Sequence, residues 1–530
     1  MTIDPAAPTS EAPHPSAPQP ADGSRGWLIG IIVAGVLAIA VVLRFATKSD
    51  LWLDEALTVN IARVPLSDLT AALKRDGAPP LYYLMLHGWM KLFGTSDIAV
   101  RAMSGVLGLA MIPLAYLAGR RLGGTDLERR RWIAWSTVLL VASSPYTIRF
   151  STETRMYMLT MVLVLLGYLA MWRAVERPSL GRLLPLTLIT AALLSTQYWA
   201  FFLVGVVGAT QLWIAWRRRD EARTTAVRIL LAIIVGCLLF VPWLPTFAYQ
   251  MQHTGTPWDS PTSPPTNTAL GIIDFAGGRV IEGWTVVLPL VLLALLALFG
   301  LTRDRWRIDV DLRTVAGVRW EWLVGAATLF VGLGLSFVAG SGFQSRYASV
   351  MYPLFILTVA FGLVVLGDRR LRYALLAVIV VVGFVGGARN VITNRTQASQ
   401  VTDAVTKAAK AGDVVAYCPD QLGPDVSRLL PAKPALQQFT YPDFESPKFV
   451  DWVDYADRNA AASPTDFTQE LLDRAVGHTI WVVWSTGYLT YGDQCEQILN
   501  LLASARAQSP TLVHPDDGIY EFMGLTRYDP

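Results

Sequence analysis

Charge is what this sequence has least of for its length. Of its 530 residues only 16% are charged, whereas 53% are hydrophobic. A water-soluble enzyme of this size could not bury so much apolar surface in one core, so the lipid bilayer must solvate much of the chain. The net charge of +3 is also too small for a nucleic-acid-binding protein, and no nucleic-acid partner is expected.

The start of the chain lacks the layout of a cleavable signal peptide. Residues 1–26 are rich in Pro, Ala and Ser, without a basic stretch, a short apolar core and a small-residue cleavage site in that order. We expect a disordered cytoplasmic tail over residues 1–26 and a retained signal anchor in the apolar run that follows.

Clusters of metal ligands are also missing. No group of His, Cys and carboxylates has the spacing of a metal site, which leaves open whether a divalent cation is needed. No other cofactor is indicated.

Long apolar runs, in contrast, recur from Trp27 to about Ala388. Runs of about 17 to 20 uncharged residues, the length that crosses a bilayer as a helix, predict about eleven spans. They begin near Trp27, Ala99, Trp132, Met156, Leu183, Phe201, Ile229, Val286, Trp322, Ala348 and Tyr373. The fifth and sixth are predicted to form a hairpin that turns near Gln197, with one long bent helix as the alternative.

Arginine clusters occupy alternate loops between these runs, for example Arg129–Arg131 and Arg217–Arg219. By the positive-inside rule these loops are cytoplasmic, and so is the N-terminus. The other loops and the C-terminal region then lie outside, which predicts a multi-pass protein of the plasma (inner) membrane, surrounded by membrane lipids. These outer loops run from Lys48 to Asp97, Arg149 to Arg155, Tyr249 to Gly283 and Ser341 to Tyr347.

Composition changes after residue 389. Residues 27–389 are predicted to form the transmembrane domain, and the polar residues 390–530 a separate extracytoplasmic α/β domain. Its predicted strands are Asp413–Tyr417 and Thr479–Trp484, and its predicted helices Ala398–Ala411 and Asp493–Ala505. The fold class is therefore mainly α, a polytopic helical bundle with a C-terminal α/β domain.

Two of the three cysteines fall in this C-terminal region. Because oxidation is permitted outside the membrane, Cys418 and Cys495 are candidates for a disulfide, with two buried free thiols as the alternative. Cys237 lies in a predicted span.

An acidic pair, Asp54 and Glu55, follows the first span between apolar residues. A partly desolvated carboxylate at the membrane surface is suited to act as a general base on a membrane-embedded substrate. The alternative is structural: Asp54 could cap a helix that begins at Glu55.

Two arginine and tyrosine clusters lie in other outer loops. Glu153, Arg155 and Tyr157 precede the fourth span, and Arg346 and Tyr347 precede the tenth. Arginine binds phosphate well because its planar fork donates two hydrogen bonds and stays charged. The alternatives are an ion pair between Glu153 and Arg155, or arginines that reach to lipid headgroups.

These motifs together resemble the membrane glycosyltransferases of the GT-C type. The resemblance is to the protein O-mannosyltransferases, the aminoarabinose transferases and actinobacterial cell-envelope transferases, over about residues 27–370. It rests on Leu53-Asp54-Glu55-Ala56, on Pro79-Pro80-Leu81-Tyr82-Tyr83, on Ser144-Pro145 through Tyr157, and on Arg346-Tyr347 with Pro353.

The resemblance implies an inverting transferase with a polyprenyl-phosphate sugar donor. Asp54 would be the catalytic base, and Glu55 would orient the acceptor or assist. The donor phosphate would be bound by Arg155, Tyr157, Arg346 and Tyr347.

The chain departs from the family pattern before its proline pair. Many relatives have His or Lys there, whereas this chain has Ala78, so a phosphate or metal contact from that position is missing. Lys74, Arg75 or Asp76 could replace it, and Lys74, Asp76 and Glu153 are our candidates for supporting or acceptor-binding residues. The long outer loop from Tyr249 to Gly283 is interpreted as a lid or an acceptor-binding loop.

The resulting hypothesis is transfer of mannose to an envelope glycan, lipoglycan or protein acceptor at the outer face of the membrane. An arabinofuranosyltransferase with the matching polyprenyl donor is the alternative within the class. The alternative from another class is a lipid or glycan transporter or flippase, which should have internal repeats or interrupted helices.

Overall fold

The computed structural model describes residues 23–255, 263–314 and 317–530. Within these ranges the chain is mostly helical and carries a small sheet domain towards the C-terminus. Residues 1–22 of the predicted disordered tail lie outside the described residues, whereas residues 23–26 are helical, contrary to the prediction.

The helices of the first half alternate between long apolar helices and shorter helices in the connections. In chain order they are α1 (Gly23–Leu43), α2 (Leu53–Arg63), α3 (Leu66–Asp76), α4 (Leu81–Phe93), α5 (Asp97–Leu122), α6 (Leu127–Ser143), α7 (Pro145–Ser151), α8 (Tyr157–Glu176), α9 (Leu180–Leu194) and α10 (Ala200–Arg217). The helix breaks between α9 and α10 at residues 195–199, where the turn near Gln197 was predicted.

The second half of the bundle continues in the same way. Its helices are α11 (Glu221–Leu238), α12 (Leu244–His253), α13 (Pro264–Ala276), α14 (Ile281–Phe299), α15 (Arg319–Val338), α16 (Tyr352–Val365) and α17 (Arg369–Ile392). A short antiparallel hairpin of β1 (Gly300–Thr302) and β2 (Ile308–Val310) connects α14 to α15.

Each predicted span coincides with a helix, but the helices differ in length. Among the described residues, seven are long and apolar enough to cross a membrane: α5, α8, α10, α11 continued into α12, α14, α15 and α17. Three shorter apolar helices lie in α1, α9 and α16. Helix α6 belongs to neither group, and its first turn carries Glu128 and Arg129–Arg131. These helices make the chain a multi-pass membrane protein.

Helix α16 lies at the centre of the bundle. Thirteen of its 14 residues are buried, as expected for a helix that is apolar on all sides. Its contact with α14 depends on Gly362, because a Cβ atom there would lie 1.9 Å from the Leu293 carbonyl oxygen. Only glycine permits this approach of the two backbones.

The C-terminal part of the chain forms a mixed α/β unit. Its helices are α18 (Ala398–Ala408), α19 (Gly423–Leu429), α20 (Tyr455–Ala461), α21 (Pro464–Arg474) and α22 (Gln494–Ala505). Its strands are β3 (Val414–Cys418), β4 (Gln437–Thr440), β5 (Ile480–Trp484), β6 (Ala507–Gln508) and β7 (Gly524–Asp529).

The five strands pair in the order β4-β3-β5-β7-β6. Strands β4, β3 and β5 are parallel, whereas β7 is antiparallel to β5 and to β6. The two predicted strands match β3 and β5 to within one residue, since both are buried apolar runs. The other three strands were not predicted.

A disulfide joins Cys418 to Cys495. It links the end of β3 to the first turn of α22, and so fixes a helix to a central strand of the sheet. Cys237 in α11 is a free cysteine.

The expectation of a loop from Tyr249 to Gly283 is wrong in part. Helices α12 and α13 occupy much of it, and α13 packs against α14. Phe275 of α13 lies 5.0 Å from the ring of Tyr146, so this helix is part of the packed bundle. Residues 256–262 of the predicted loop lie outside the described residues.

Candidate active site

Helix α2 carries the acidic pair in its first turn. It begins at Leu53, and the preceding Trp52 has an extended backbone and makes no side-chain cap. Asp54 therefore does not cap a helix that begins at Glu55, and the structural alternative for Asp54 does not apply. Its side chain retains 16% exposure.

Both predicted arginines converge on the Asp54 carboxylate. Arg346 donates from Nη1 to Oδ2 of Asp54 at 2.7 Å. Arg155 places its Nε 3.8 Å from the same oxygen, and its Nη1 donates to Thr58 Oγ1 at 2.8 Å. Two segments separated by about 190 residues of sequence thus meet on one carboxylate, as ion pairing of partly buried charges favours.

Aromatic rings surround these arginines. The Arg346 guanidinium lies 5.7 Å from the Trp52 ring and 5.9 Å from the Tyr347 ring, within cation-π range. Tyr157 is buried at the start of α8 and interacts electrostatically with both Arg155 and Arg346. All four residues predicted to bind phosphate therefore lie around Asp54.

Glu55 has a different environment from Asp54. It is fully buried, and its carboxylate accepts from Arg101 Nε at 2.8 Å and from the Thr154 backbone N–H at 2.8 Å. Arg395 lies 3.7 Å away. Burial alone would raise the pKa of Glu55, but the charges and hydrogen bonds of these partners hold it below its ordinary value. Such a group is not accessible to an acceptor, contrary to the expectation that it orients one.

Glu153 is a second buried carboxyl near this site. Neither of its oxygens has a hydrogen-bond partner, and Arg149 Nε lies 3.6 Å from one of them. Burial raises the pKa of Glu153, with Arg149 opposing the shift. The ion pair between Glu153 and Arg155, one of the alternatives to phosphate binding, does not form, because Arg155 pairs with Asp54.

The three candidates to replace the contact missing at Ala78 point in different directions. Asp76 accepts a 2.6 Å hydrogen bond from Tyr83, and burial raises its pKa while Arg155 opposes the shift. Lys74 instead lies over the Tyr249 ring at 3.7 Å, and Arg75 lies 3.6 Å from Asp451 of the C-terminal domain. Only Asp76 of these three interacts with the Asp54 cluster.

In the described parts of the chain, no group of three or more His, Cys, Asp or Glu residues is arranged to hold a metal ion. The chemistry available at Asp54 comes from a carboxylate and two guanidinium groups. Such a set can accept a proton and stabilise an anion at adjacent positions.

Three residues around the acidic pair were missed in the sequence. Arg101 lies in the first turns of a predicted span, and an arginine in an apolar helix is a signal for a buried charge partner. Arg395 and Glu521 lie more than 300 residues from the pair along the chain, and no local pattern distinguishes them.

The family Dolichyl-phosphate-mannose-protein mannosyltransferase matches residues 71–255 of this chain. This stretch runs from α3 to just past α12 and includes Arg155 and Tyr157, whereas Asp54 and Arg346 lie outside it. No curated protein sequence matches the chain significantly.

Two crystal structures of ArnT from Cupriavidus metallidurans resemble the chain over nearly its whole length. The structure in the apo state has a TM-score of 0.60 at 14% identity, covering 95% of this chain and 98% of that one. The structure bound to undecaprenyl phosphate has a TM-score of 0.57 at 14% identity, covering 96% and 98%. The chain therefore has the GT-C fold that its motifs predicted.

The environment of Glu55 leads to a prediction about stability. Glu55→Gln should destabilise the protein by about 3–5 kcal/mol, because the charge of Arg101 would stay buried without its carboxylate. The measurement is thermal unfolding of the purified protein in detergent, with the exposed Glu221→Gln as the matched control.

The same substitution should alter the response to acid. Because the pKa of Glu55 is lowered, its stabilisation is complete above the ordinary value of 4.5 and is lost as the pH falls towards the lowered value. The wild type should therefore lose more stability than Glu55→Gln between pH 6 and the acid limit of folding. Equal losses in both proteins would contradict this account of Glu55.

Proposed function

We propose that this protein is an inverting glycosyltransferase that uses a polyprenyl-phosphate sugar, with Asp54 as its general base. The observation that carries the proposal is the convergence of Arg155 and Arg346 on Asp54. One accessible carboxylate beside two arginines matches what this reaction needs, a base for the acceptor and cations for the phosphate.

The proposed reaction is a single displacement. The oxygen of an acceptor hydroxyl attacks the anomeric carbon from the face opposite the phosphate, and its proton passes to the Asp54 carboxylate. The bond between the anomeric carbon and the phosphate oxygen breaks, and the electron pair leaves with polyprenyl phosphate. A single displacement inverts the anomeric carbon, and the leaving phosphate needs charge stabilisation instead of protonation.

The ion pairs of Asp54 imply that the donor binds before the acceptor hydroxyl reaches Asp54. Arg346 is hydrogen-bonded to Asp54, so a donor phosphate would compete with Asp54 for the same guanidinium. Arginine binds phosphate oxygens in a bidentate manner, so a bound donor draws Arg346 and Arg155 towards itself. Donor binding would thereby free an Asp54 oxygen for the acceptor hydroxyl.

The remaining predicted residues take supporting roles in this proposal. Tyr157 and Tyr347 flank the phosphate-binding arginines, and Asp76 and Glu153 add carboxyl groups whose burial raises their pKa. Glu55 acts through its ion pairs, which fix the first turn of α2 next to Asp54.

Mannose is the first sugar to test. The match of residues 71–255 to a mannosyltransferase family supports it, and arabinofuranose is the alternative. The acceptor is proposed to be an envelope glycan, a lipoglycan or a protein. The arginine clusters of alternate loops support a reaction at the outer face of the plasma membrane, with the C-terminal domain on that side.

A cavity in the helical bundle is suited to the polyprenyl chain. It has a volume of about 260 Å³, and its walls are largely apolar side chains of α8, α9, α10, α11 and α15 with Leu354 of α16. Leu193 lines the cavity one turn before Gln197, whose side chain donates to the Tyr347 carbonyl oxygen at 3.3 Å. The cavity thus approaches the turn that carries Arg346, as a prenyl chain attached to the bound phosphate requires.

The assignment of the base is tested by Asp54→Asn. With synthetic polyprenyl-phosphate mannose and polyprenyl-phosphate arabinose as donors, turnover by the purified variant should fall about 10²- to 10⁴-fold, because the amide cannot accept the proton. Asp68→Asn, an exposed acid on α3, is the matched control and should retain wild-type turnover. Activity retained by Asp54→Asn would refute the base, and failure of the wild type with both donors would refute the sugars.

The phosphate contact is tested by Arg346→Ala. Loss of a charge-assisted bidentate contact should lower kcat/KM for the donor about 10- to 100-fold, mainly through donor KM. Arg63→Ala, at the exposed last turn of α2, should leave the donor kinetics unchanged. Unchanged kinetics in Arg346→Ala would contradict the assignment.

The cavity is tested by Val207→Trp, which would fill it from α10. This variant should raise the KM for a donor with a full polyprenyl chain but not for an analogue with two isoprene units, since the short chain does not extend into the cavity. Leu212→Trp places the same side chain on the exposed surface of α10 and serves as the control. An equal effect on both donors would argue against this position of the chain.

A further inference from the structure

A parallel β-bridge in the C-terminal domain lies against the acidic pair. It joins Thr396, just before α18, to Glu521, just before β7. The Glu521 N–H donates to the Arg395 carbonyl oxygen at 2.9 Å, and the Gln397 N–H donates to the Glu521 carbonyl oxygen at 3.2 Å. The backbones of Arg395 and Glu521 are therefore held together, and both side chains reach α2.

Glu521 binds the first residue of α2. Its Oε1 accepts a 3.0 Å hydrogen bond from the Leu53 N–H, and its side chain is only 4% exposed. The first N–H groups of a helix have no acceptor within the helix, and Trp52 offers no side-chain cap here. A carboxyl group from the C-terminal domain thus supplies the cap that the local sequence lacks.

Arg395 binds the third residue of α2. Its Nη1 lies 3.7 Å from the Glu55 carboxylate, and it is anchored by hydrogen bonds to the Thr152 carbonyl oxygen at 3.1 Å and the Thr152 hydroxyl at 2.8 Å. The residues on both sides of Asp54, Leu53 and Glu55, are therefore held from the same β-bridge.

We infer that the C-terminal domain positions the Asp54 carboxylate, with Glu521 and Arg395 as the positioning residues. This inference rests on the proposed role of Asp54 as the base. It gives the domain a part in catalysis that does not depend on acceptor binding. A shift of about 1 Å in a reacting group can cost about 10²-fold in rate, so the cap on α2 should affect turnover.

The surroundings of Glu521 indicate that its carbonyl oxygen, and not its negative charge, caps α2. Burial raises its pKa well above the ordinary value, and the nearby Asp425 carboxyl adds to the shift. Thr396 donates to Asp425 at 2.7 Å, and Tyr488 interacts electrostatically with both carboxyl groups. A neutral carboxyl still accepts the Leu53 N–H through its carbonyl oxygen, and the amide of glutamine offers the same acceptor.

The test compares Glu521→Gln with Glu521→Ala in the full-length protein. Glu521→Ala should lower kcat about 10- to 100-fold and leave the donor KM within about threefold, because Arg155 and Arg346 still bind the phosphate. Its hydrogen exchange, measured by mass spectrometry over residues 50–60, should be faster than in the wild type. Glu521→Gln should restore both properties.

Asp413→Ala is the matched control for damage to the domain. Asp413 is buried to a similar degree and binds the Lys410 and Thr479 N–H groups at the start of β3, away from α2. It should retain the wild-type kcat and exchange over residues 50–60. An equal loss of kcat in Asp413→Ala would overturn the inference, because any damage to the domain would then be enough to lower turnover.

The outcomes separate this inference from the proposed function. Normal kcat and normal exchange in Glu521→Ala would overturn the inference while leaving Asp54→Asn to judge the base. If the wild type transferred neither sugar, mannose and arabinofuranose would be refuted as its donor sugars. Exchange over residues 50–60 would then still decide whether Glu521 holds α2.

Discussion

A carboxylate buried in a protein must be compensated, and the compensation of Glu55 fixes the arrangement of the site. Its partners come from separate parts of the chain: Arg101 from α5, the Thr154 N–H from the turn before α8, and Arg395 from the C-terminal domain. An unpaired charge at that depth would cost several kcal/mol. The need to satisfy one side chain therefore holds α2, α5, the turn before α8 and the C-terminal domain in a single geometry.

The neighbouring Asp54 depends on this arrangement. Adjacent residues on a helix point about 100° apart, so fixing Glu55 inward directs Asp54 towards the partly open side where Arg155 and Arg346 lie. The acidic pair is thus divided between an anchor and a reactive group. In the proposed reaction the arginines can exchange Asp54 for a phosphate, whereas Glu55 keeps its partners throughout.

The bundle beneath the site has a second constraint, which is close packing. Helix α16 is buried on all sides and approaches α14 through Gly362, while the cavity next to Leu354 is left open among apolar side chains. An apolar cavity beside a tightly packed centre fits the proposed site for a long prenyl chain. The site at Asp54 and this cavity together support a lipid-linked donor more strongly than either does alone.

Much of this architecture could be predicted from the sequence, because its signals are local. The scarcity of charge and the repeated apolar runs indicate the membrane bundle, and the buried runs that became β3 and β5 were recognised for the same reason. Strands β4, β6 and β7 were missed because they are short or rich in polar residues and depend on their neighbours in the sheet. Residues 249–283 were predicted as a loop from their Pro, Thr and Ser content, yet α12 and α13 form there because tertiary packing outweighs weak local preference.

At the candidate site, too, some features are predictable from the sequence and others depend on the fold. The order and composition of the chain place Asp54 and Glu55 together after the first apolar run and repeat arginines in other loops on the predicted outer side. The fold then establishes which carboxylate is accessible, which arginines converge on it, and that Arg395 and Glu521 hold the helix from the far end of the chain. The physical reason is that burial and ion pairing depend on distances in space, and residues more than 300 positions apart leave no trace of such contacts in any local pattern.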